Sequence, residues 1–284
     1  MKPARLIHHA VRTVDEAVAA LSAYAPEGGR ILAGGQSLVP MMAFRLAQPA
    51  HLIDINGIGG IGEVACDRHT LRIPAGVRHA AFHRRVVDGP LGTLLSTVAR
   101  HIAHLPIRTR GTFCGSLANA DPASEWCVVL VALDGMVVAR SMAGERIFPA
   151  NAFFRSIMTT ALRENEMLVE ARLPLPAPGT RFGFDECSRR AGDYAQSMTL
   201  AAYRLVDGRM TDTRVAVGGV EGHPRRLAVV EAALDGEAPT LQTFARGAEA
   251  AGAVIDAMED NQVPASLRRD LVRATTRRAL AVAA

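Results

Sequence analysis

Ile31-Leu32-Ala33-Gly34-Gly35-Gln36-Ser37-Leu38 runs from three apolar residues into two glycines and then two polar side chains. The apolar start reads as a strand, and the glycines end it. Without Cβ atoms, successive amides in such a turn approach a diphosphate closely enough to donate hydrogen bonds, and Gln36 and Ser37 add side-chain donors. An ordinary tight turn has the same composition. What the stretch means depends on what surrounds it.

Upstream, Thr13 caps a helix with Glu16 three residues on, and Val14, Ala17, Val18 and Leu21 recur on one face. Downstream, residues 41–46 are helical or turn-like, and the apolar run at residues 51–55 reads as a strand. The first 60 residues predict a small α/β unit. From residue 61 the texture changes to strands at 62–65 and 70–74, then helices at 78–87 and 94–103. Glycine and polar residues crowd positions 108–122, a low-regularity stretch of the kind that carries ligands, ahead of an apolar segment at 124–133.

A strand at 166–173 runs into Pro174, Pro176, Pro178 and Gly179, which places a domain boundary near residues 174–180. Beyond it, residues 181–187, 196–206 and 209–218 predict three antiparallel strands, the last two joined at Asp207-Gly208. Helices follow at 225–234, 241–258 and 267–281. In the second of these, Leu241, Phe244, Ala248, Ala251, Ile255 and Met258 share one face behind a Thr240 cap. In the third, Arg268, Arg269, Arg273, Arg277 and Arg278 surround an alanine-rich rod, as a solvated face or a contact with a partner subunit.

With 284 residues, 49% hydrophobic and 21% charged, the chain has the mass for one large domain or two ordinary ones, which excludes a disulfide scaffold or an unfolded tail. Thirty-two basic against 28 acidic side chains leave a net +4, too weak a field to favour nucleic acid. Cys66, Cys114, Cys127 and Cys187 lie far apart without a C-x-x-C pair, so zinc and iron-sulfur centres are not expected in this chain. His79 with His83, and His101 with His104, have helical spacing but no H-E-x-x-H pattern, and no metal site is expected. Trp126 reads as a core or subunit-interface residue, and Met41 and Met42 as flexible packing residues. Residues 1–10 lack a secretory pattern. The longest apolar run, residues 127–133, is far short of the roughly 20 residues that span a bilayer, so a cytoplasmic protein without a membrane span is expected.

Two further segments bear on a ligand. Arg110-Gly111-Thr112-Phe113-Cys114-Gly115-Ser116-Leu117-Ala118-Asn119-Ala120-Asp121-Pro122 repeats the glycine-and-hydroxyl chemistry of the first turn. Two such loops suit a long ligand with two phosphates, although neither carries the G-x-G-x-x-G or G-x-x-x-x-G-K-S/T pattern, and two structural glycine loops remain an open alternative. In residues 184–195, Arg189 and Arg190 precede a glycine turn and Tyr194. An aromatic there packs on a planar ring, with one arginine pairing Asp193, or the segment is a surface turn.

Residues 33–42, residues 111–122 and residues 189–195, in this order and spacing, resemble the FAD-binding medium subunit of the molybdenum hydroxylases, which include carbon monoxide, xanthine, N-heterocycle and aldehyde dehydrogenases. The resemblance covers nearly the whole chain. It implies an α+β fold: a PCMH or vanillyl-alcohol-oxidase-type FAD-binding domain over residues 1–175, with subdomains 1–60 and 61–175. A C-terminal domain of a three-stranded antiparallel sheet with a helical bundle would follow at 176–284. It further implies that residues 31–38 (Ile31, Leu32, Ala33, Gly34, Gly35, Gln36, Ser37 and Leu38) and residues 112–116 (Thr112, Phe113, Cys114, Gly115 and Ser116) clasp the FAD diphosphate. Ile102, Asp121, Glu125 and Leu168 would line the adenosine or flavin pocket, and Tyr194 would lie beside the isoalloxazine.

On this reading the molybdenum cofactor and [2Fe-2S] clusters belong to a large and a small partner subunit, in a dimer of heterotrimers. This chain would relay electrons to NAD, a quinone or another acceptor, with no catalytic acid, base or nucleophile of its own. A standalone flavin oxidase or reductase of the same fold is the alternative. Two positions depart from the family: Cys114 stands where a second glycine is usual and reads as a buried structural thiol, and Asp185 and Glu186 stand where a lysine is common.

Overall fold

Residues 2–284 are described by the computed structural model. Strands β1 (Ile7–Ala10), β2 (Arg30–Leu32) and β3 (His51–Asp54) pair in parallel in the order β1-β3-β2. Strands that run parallel in one sheet need crossover connections; helix α1 (Val14–Tyr24) carries the chain from β1 to β2, on the far side of β3, and buries Ala17, Val18 and Leu21. Thr13 caps α1 as expected, accepting from the Glu16 amide at 3.1 Å. β2 runs into the glycine turn, which opens the short helix α2 (Leu38–Ala43).

The next unit is a five-stranded antiparallel sheet of β4 (Ala65–Cys66), β5 (Thr70–Pro74), β6 (Met136–Ser141), β7 (Gly144–Pro149) and β10 (Met167–Pro174), in the order β4-β5-β10-β6-β7. A small hairpin, β8 (Phe154–Ser156) with β9 (Thr159–Thr160), stands beside it. Its helices are α3 (Gly89–His101), α4 (Leu105–Arg108), α5 (Phe113–Asn119), α6 (Glu125–Ala132) and α7 (Ala150–Phe153). Every residue of α6 is buried. A helix that is apolar all round must be covered on every side; α3, α5 and α7 cover part of α6, and the C-terminal sheet covers the rest. Trp126 on α6 packs its ring 4.9 Å from Phe82 and 4.8 Å from Phe113, as a core residue.

That C-terminal sheet holds the three long strands read from the sequence, β11 (Arg181–Ser188), β12 (Ala195–Val206) and β13 (Arg209–Gly218), and a two-residue fourth, β14 (Arg225–Arg226). Both of its faces are apolar. Met198, Leu200 and Ala216 join the core around α6, whereas Ala201, Tyr203, Val215 and Val217 pack under α8 (Ala228–Leu234), α9 (Leu241–Val254) and α10 (Ala265–Ala283). This is the period-2 pattern of a sheet buried on two sides. Where α10 crosses β12, Thr275 bonds Ser197 at 3.0 Å and Thr199 at 2.9 Å, all three hydroxyls buried.

Several local expectations change. Residues 78–87 form only a 3-10 turn at His79–His83, because Gly89 and Pro90 start α3 later. Strand β4 sits at Ala65–Cys66, and α9 stops at Val254. Arg225 and Arg226 are extended rather than helical; their guanidiniums reach Glu221 on one side and Glu231 with Asp134 on the other. Arg268 does not belong to a solvated face: it is buried and donates to the carbonyls of Gln196 and Gly219 and to Asp260.

Thr275→Val keeps the shape but leaves Ser197 and Thr199 without their shared partner. A loss of about 1–3 kcal/mol is expected, read as a lowered urea midpoint; an unchanged midpoint would show that the hydroxyls find other partners.

Candidate functional site

A cleft of about 540 Å³ opens between the parallel sheet and the five-stranded sheet. Three segments line it: the glycine turn after β2, the loop that opens α5, and the stretch from Met158 on the β8–β9 hairpin to Leu168 on β10. The two loops touch. A Cβ added to Gly34 would overlap the Arg110 carbonyl oxygen and lie 2.6 Å from Gly111 Cα, so only glycine lets these backbones meet. Gly35 follows at φ +72°, a left-handed conformation that turns the chain toward α2.

That geometry leaves a row of donors. Among the described residues, none accepts a hydrogen bond from the amides of Gly34, Gly35, Gln36, Ser37 or Leu38. Consecutive unpaired amides beside a helix start form a concavity that attracts anions. The Gln36 side chain is occupied differently from the expectation, since its Nε2 donates to the Gly34 carbonyl at 2.9 Å and braces the turn. On the second loop the Thr112 hydroxyl accepts from the Gly115 amide at 3.0 Å and caps α5. Behind the loop, the His79 amide donates to the Gly111 carbonyl at 3.0 Å, and Trp126 Nε1 donates to His79 Nδ1 at 2.9 Å. Burial, with Arg78 and Arg108 nearby, lowers the His79 pKa to about 3. Its ring is therefore neutral, and with Nδ1 accepting, the proton sits on Nε2.

Of the residues singled out from the sequence, Ile31, Leu32, Ala33, Gly34, Gly35, Gln36, Ser37, Leu38, Thr112, Cys114, Gly115, Ser116 and Leu168 line the cleft. The other five do not. Phe113 points into the core against Phe82 and anchors α5. Ile102 is buried, and its carbonyl accepts from Arg108 at 2.7 Å. Asp121, Glu125 and Tyr194 form a separate group beyond the far end of α5, with Tyr194 72% exposed. Sequence reading missed Met158, Thr160, Leu162 and Arg163, which carry no motif and reach the cleft only through the β8–β9 hairpin. The expected arginine–Asp193 pair is not formed: the Asp193 amide donates to the Arg190 carbonyl and Arg189 reaches Gln262.

Cys114 is a buried thiol whose Sγ donates to the Ile73 carbonyl at 3.3 Å, and burial pushes its pKa up. A neutral, enclosed thiol is inert as a nucleophile. Among the described residues, no group of three or more His, Cys, Asp or Glu side chains is placed to hold a metal ion. Likewise, no helix is long and apolar enough to cross a membrane.

Acidic groups on α6 and β11 influence one another. Glu125 is pushed up to about 7 by burial and by Asp121. Glu186 is pushed up to about 8 by burial, Glu125 and Asp185; His101 Nδ1 stands 3.8 Å from its Oε2. Asp185 lies 3.7 Å from Arg278 of α10.

The contacting glycine turns, the cleft and the C-terminal sheet with its helices define a class of flavoprotein. Residues 5–176 match the FAD binding domain in molybdopterin dehydrogenase, and residues 182–283 match the CO dehydrogenase flavoprotein C-terminal domain. The chain belongs to this family of FAD-binding oxidoreductase subunits. Among individual proteins, caffeine dehydrogenase subunit beta of Pseudomonas sp. (strain CBB1) is 33% identical over 285 residues, covering 100% of this chain and 96% of that one. Carbon monoxide dehydrogenase from Hydrogenophaga pseudoflava superposes with a TM-score of 0.94 at 34% identity, covering 100% of this chain and 98% of that one. Quinoline 2-oxidoreductase from Pseudomonas putida 86 superposes at 0.92 with 32% identity and the same coverage. The two-subdomain FAD-binding fold and C-terminal region implied by the resemblance are thus present.

The raised carboxyls set a pH dependence. A folded-state pKa near 8 for Glu186, against the usual 4.5, means that the folded chain holds a proton the unfolded chain releases. Stability from this group is full below the unfolded value and falls as pH rises through that window. Glu186→Gln should flatten the decline, seen as a smaller difference between urea midpoints at about pH 5 and about pH 8.5. A variant with the wild-type decline would remove Glu186 from the effect.

Proposed function

We propose that the cleft binds the diphosphate of FAD between the two glycine turns, and that the chain relays electrons within a heteromeric molybdenum hydroxylase. The observation that carries this reading is the backbone contact of Gly34 with Arg110 and Gly111, which brings five unpartnered amides to the wall of one cleft. These residues fit the group: the donors are uncharged, directional and close, as an extended diphosphate requires. Leu162 and Leu168 supply apolar cover for the adenosine. Ile102, Asp121, Glu125 and the exposed Tyr194 would serve the flavin end, with the Tyr194 ring limiting solvent access. When bound, FAD accepts electrons singly and releases them in pairs.

The relatives support a complex. One is named a subunit of caffeine dehydrogenase, another a subunit of the 6-hydroxypseudooxynicotine dehydrogenase complex of Paenarthrobacter nicotinovorans. Accordingly, a small subunit with [2Fe-2S] clusters delivers electrons, a large molybdenum-bearing subunit performs the substrate chemistry, and NAD, a quinone or another acceptor takes electrons from FAD. A dimer of heterotrimers in the cytoplasm, with this chain divided into domains at residues 175 and 176, completes the proposal.

Gly34→Val tests the site, because its branched side chain forces the two turns apart. We expect FAD affinity to fall roughly a hundredfold, about 2.7 kcal/mol, by fluorescence titration of the flavin-free chain; full retention would sink the diphosphate assignment. Affinity isolation from the native host should recover molybdenum, iron and flavin together. A lone chain turning over an organic substrate would favour a standalone flavoenzyme instead.

A further inference from the structure

The contact between the glycine turns is braced by a side chain that does not line the cleft. Arg78 sits just after β5, half-buried, and forms a single β-bridge with Thr112. One guanidinium nitrogen donates to the carbonyl oxygen of Arg110, the atom that abuts Gly34. The other donates to Asn56 Oδ1 at 2.5 Å. Asn56 in turn donates through Nδ2 to the carbonyl of Ala33 at 2.9 Å, and its own amide is held by Asp54 Oδ1 at 2.9 Å. A chain of hydrogen bonds therefore runs from the residue before Gly111 to the residue before Gly34, joining the parallel-sheet unit to the five-stranded one.

We propose that Arg78, acting with Asn56, is the positioning residue of the cleft, fixing the two turns at the spacing that one diphosphate requires. This rests on the FAD reading of the cleft. The chemistry is specific to arginine. Its planar fork presents donors on two nitrogens to two diverging acceptors, whereas a lysine ammonium offers a point charge at the end of a flexible stem. The bracket grips backbone carbonyls at the base of each turn, which leaves the amides of residues 34–38 free to face a ligand. Its effect on a cofactor is indirect, through the separation of the loops.

The test is a double-mutant cycle on the full chain stripped of flavin, with FAD as the probe and fluorescence quenching as the readout. Arg78→Lys and Arg78→Met should both weaken FAD binding about tenfold, a magnitude set by charge-assisted hydrogen bonds at a partly exposed site. Asn56→Ala should cost a similar factor in the wild-type background and almost nothing in the Arg78→Lys background, because the bracket is already broken. Urea midpoints of the flavin-free variants should stay near wild type, which separates positioning from a general loss of folding. Wild-type affinity in Arg78→Lys would show that charge alone matters and would overturn the bracket, as would additive effects of the two substitutions. A wild-type chain that takes up no FAD would overturn the cofactor reading itself, and the bracket's role with it.

Discussion

The close approach of two backbones, Gly34 against Arg110 and Gly111, is the constraint around which the cleft is built. It brings together the turn after a parallel strand and the loop before a helix, 76 residues apart in sequence from Gly34 to Arg110, in units with different sheet types. Any side chain at Gly34 holds them apart. Once they meet, the amides that follow have nowhere to find a partner within the chain, and an anionic ligand becomes the natural completion of the turn. The rigidity behind this contact comes from the core: Trp126 bonds His79, His79 bonds Gly111, and Phe113 fastens α5.

The C-terminal region is tied to the same core. Helix α6 is apolar on all sides, which leaves it no solvent face and obliges β12 and β13 to cover it. The opposite sheet face then needs α8, α9 and α10. Glu125 of α6 and Glu186 of β11 are both reluctant to ionise, Glu186 in part because of the charge on Glu125, which links protonation to the packing of the two regions.

Long, periodic elements were legible in the sequence. The Thr13 cap with its apolar stripe announced α1, and Asp207-Gly208 announced the β12–β13 hairpin. Elements stabilised by tertiary partners were not. Strand β1 is half histidine and gains its place only by pairing with β3, and β14 is two arginines drawn out by carboxylates. At the site, both glycine turns were visible because close approach demands glycine. Arg78 and Asn56 were invisible for the opposite reason: each is an ordinary polar residue whose role comes from geometry that no local spacing encodes. Arg268 misled because charge predicts exposure, yet buried carbonyls receive its guanidinium.

One further consequence follows from the placement of Trp126. It is the only indole in the chain, fully buried, and it donates to the neutral ring of His79, whose backbone amide holds the loop that meets Gly34. Any shift of that loop alters the polarity and hydrogen bonding felt by the ring. The protein therefore carries an intrinsic optical gauge, and its ultraviolet emission can follow loop movement without an attached dye.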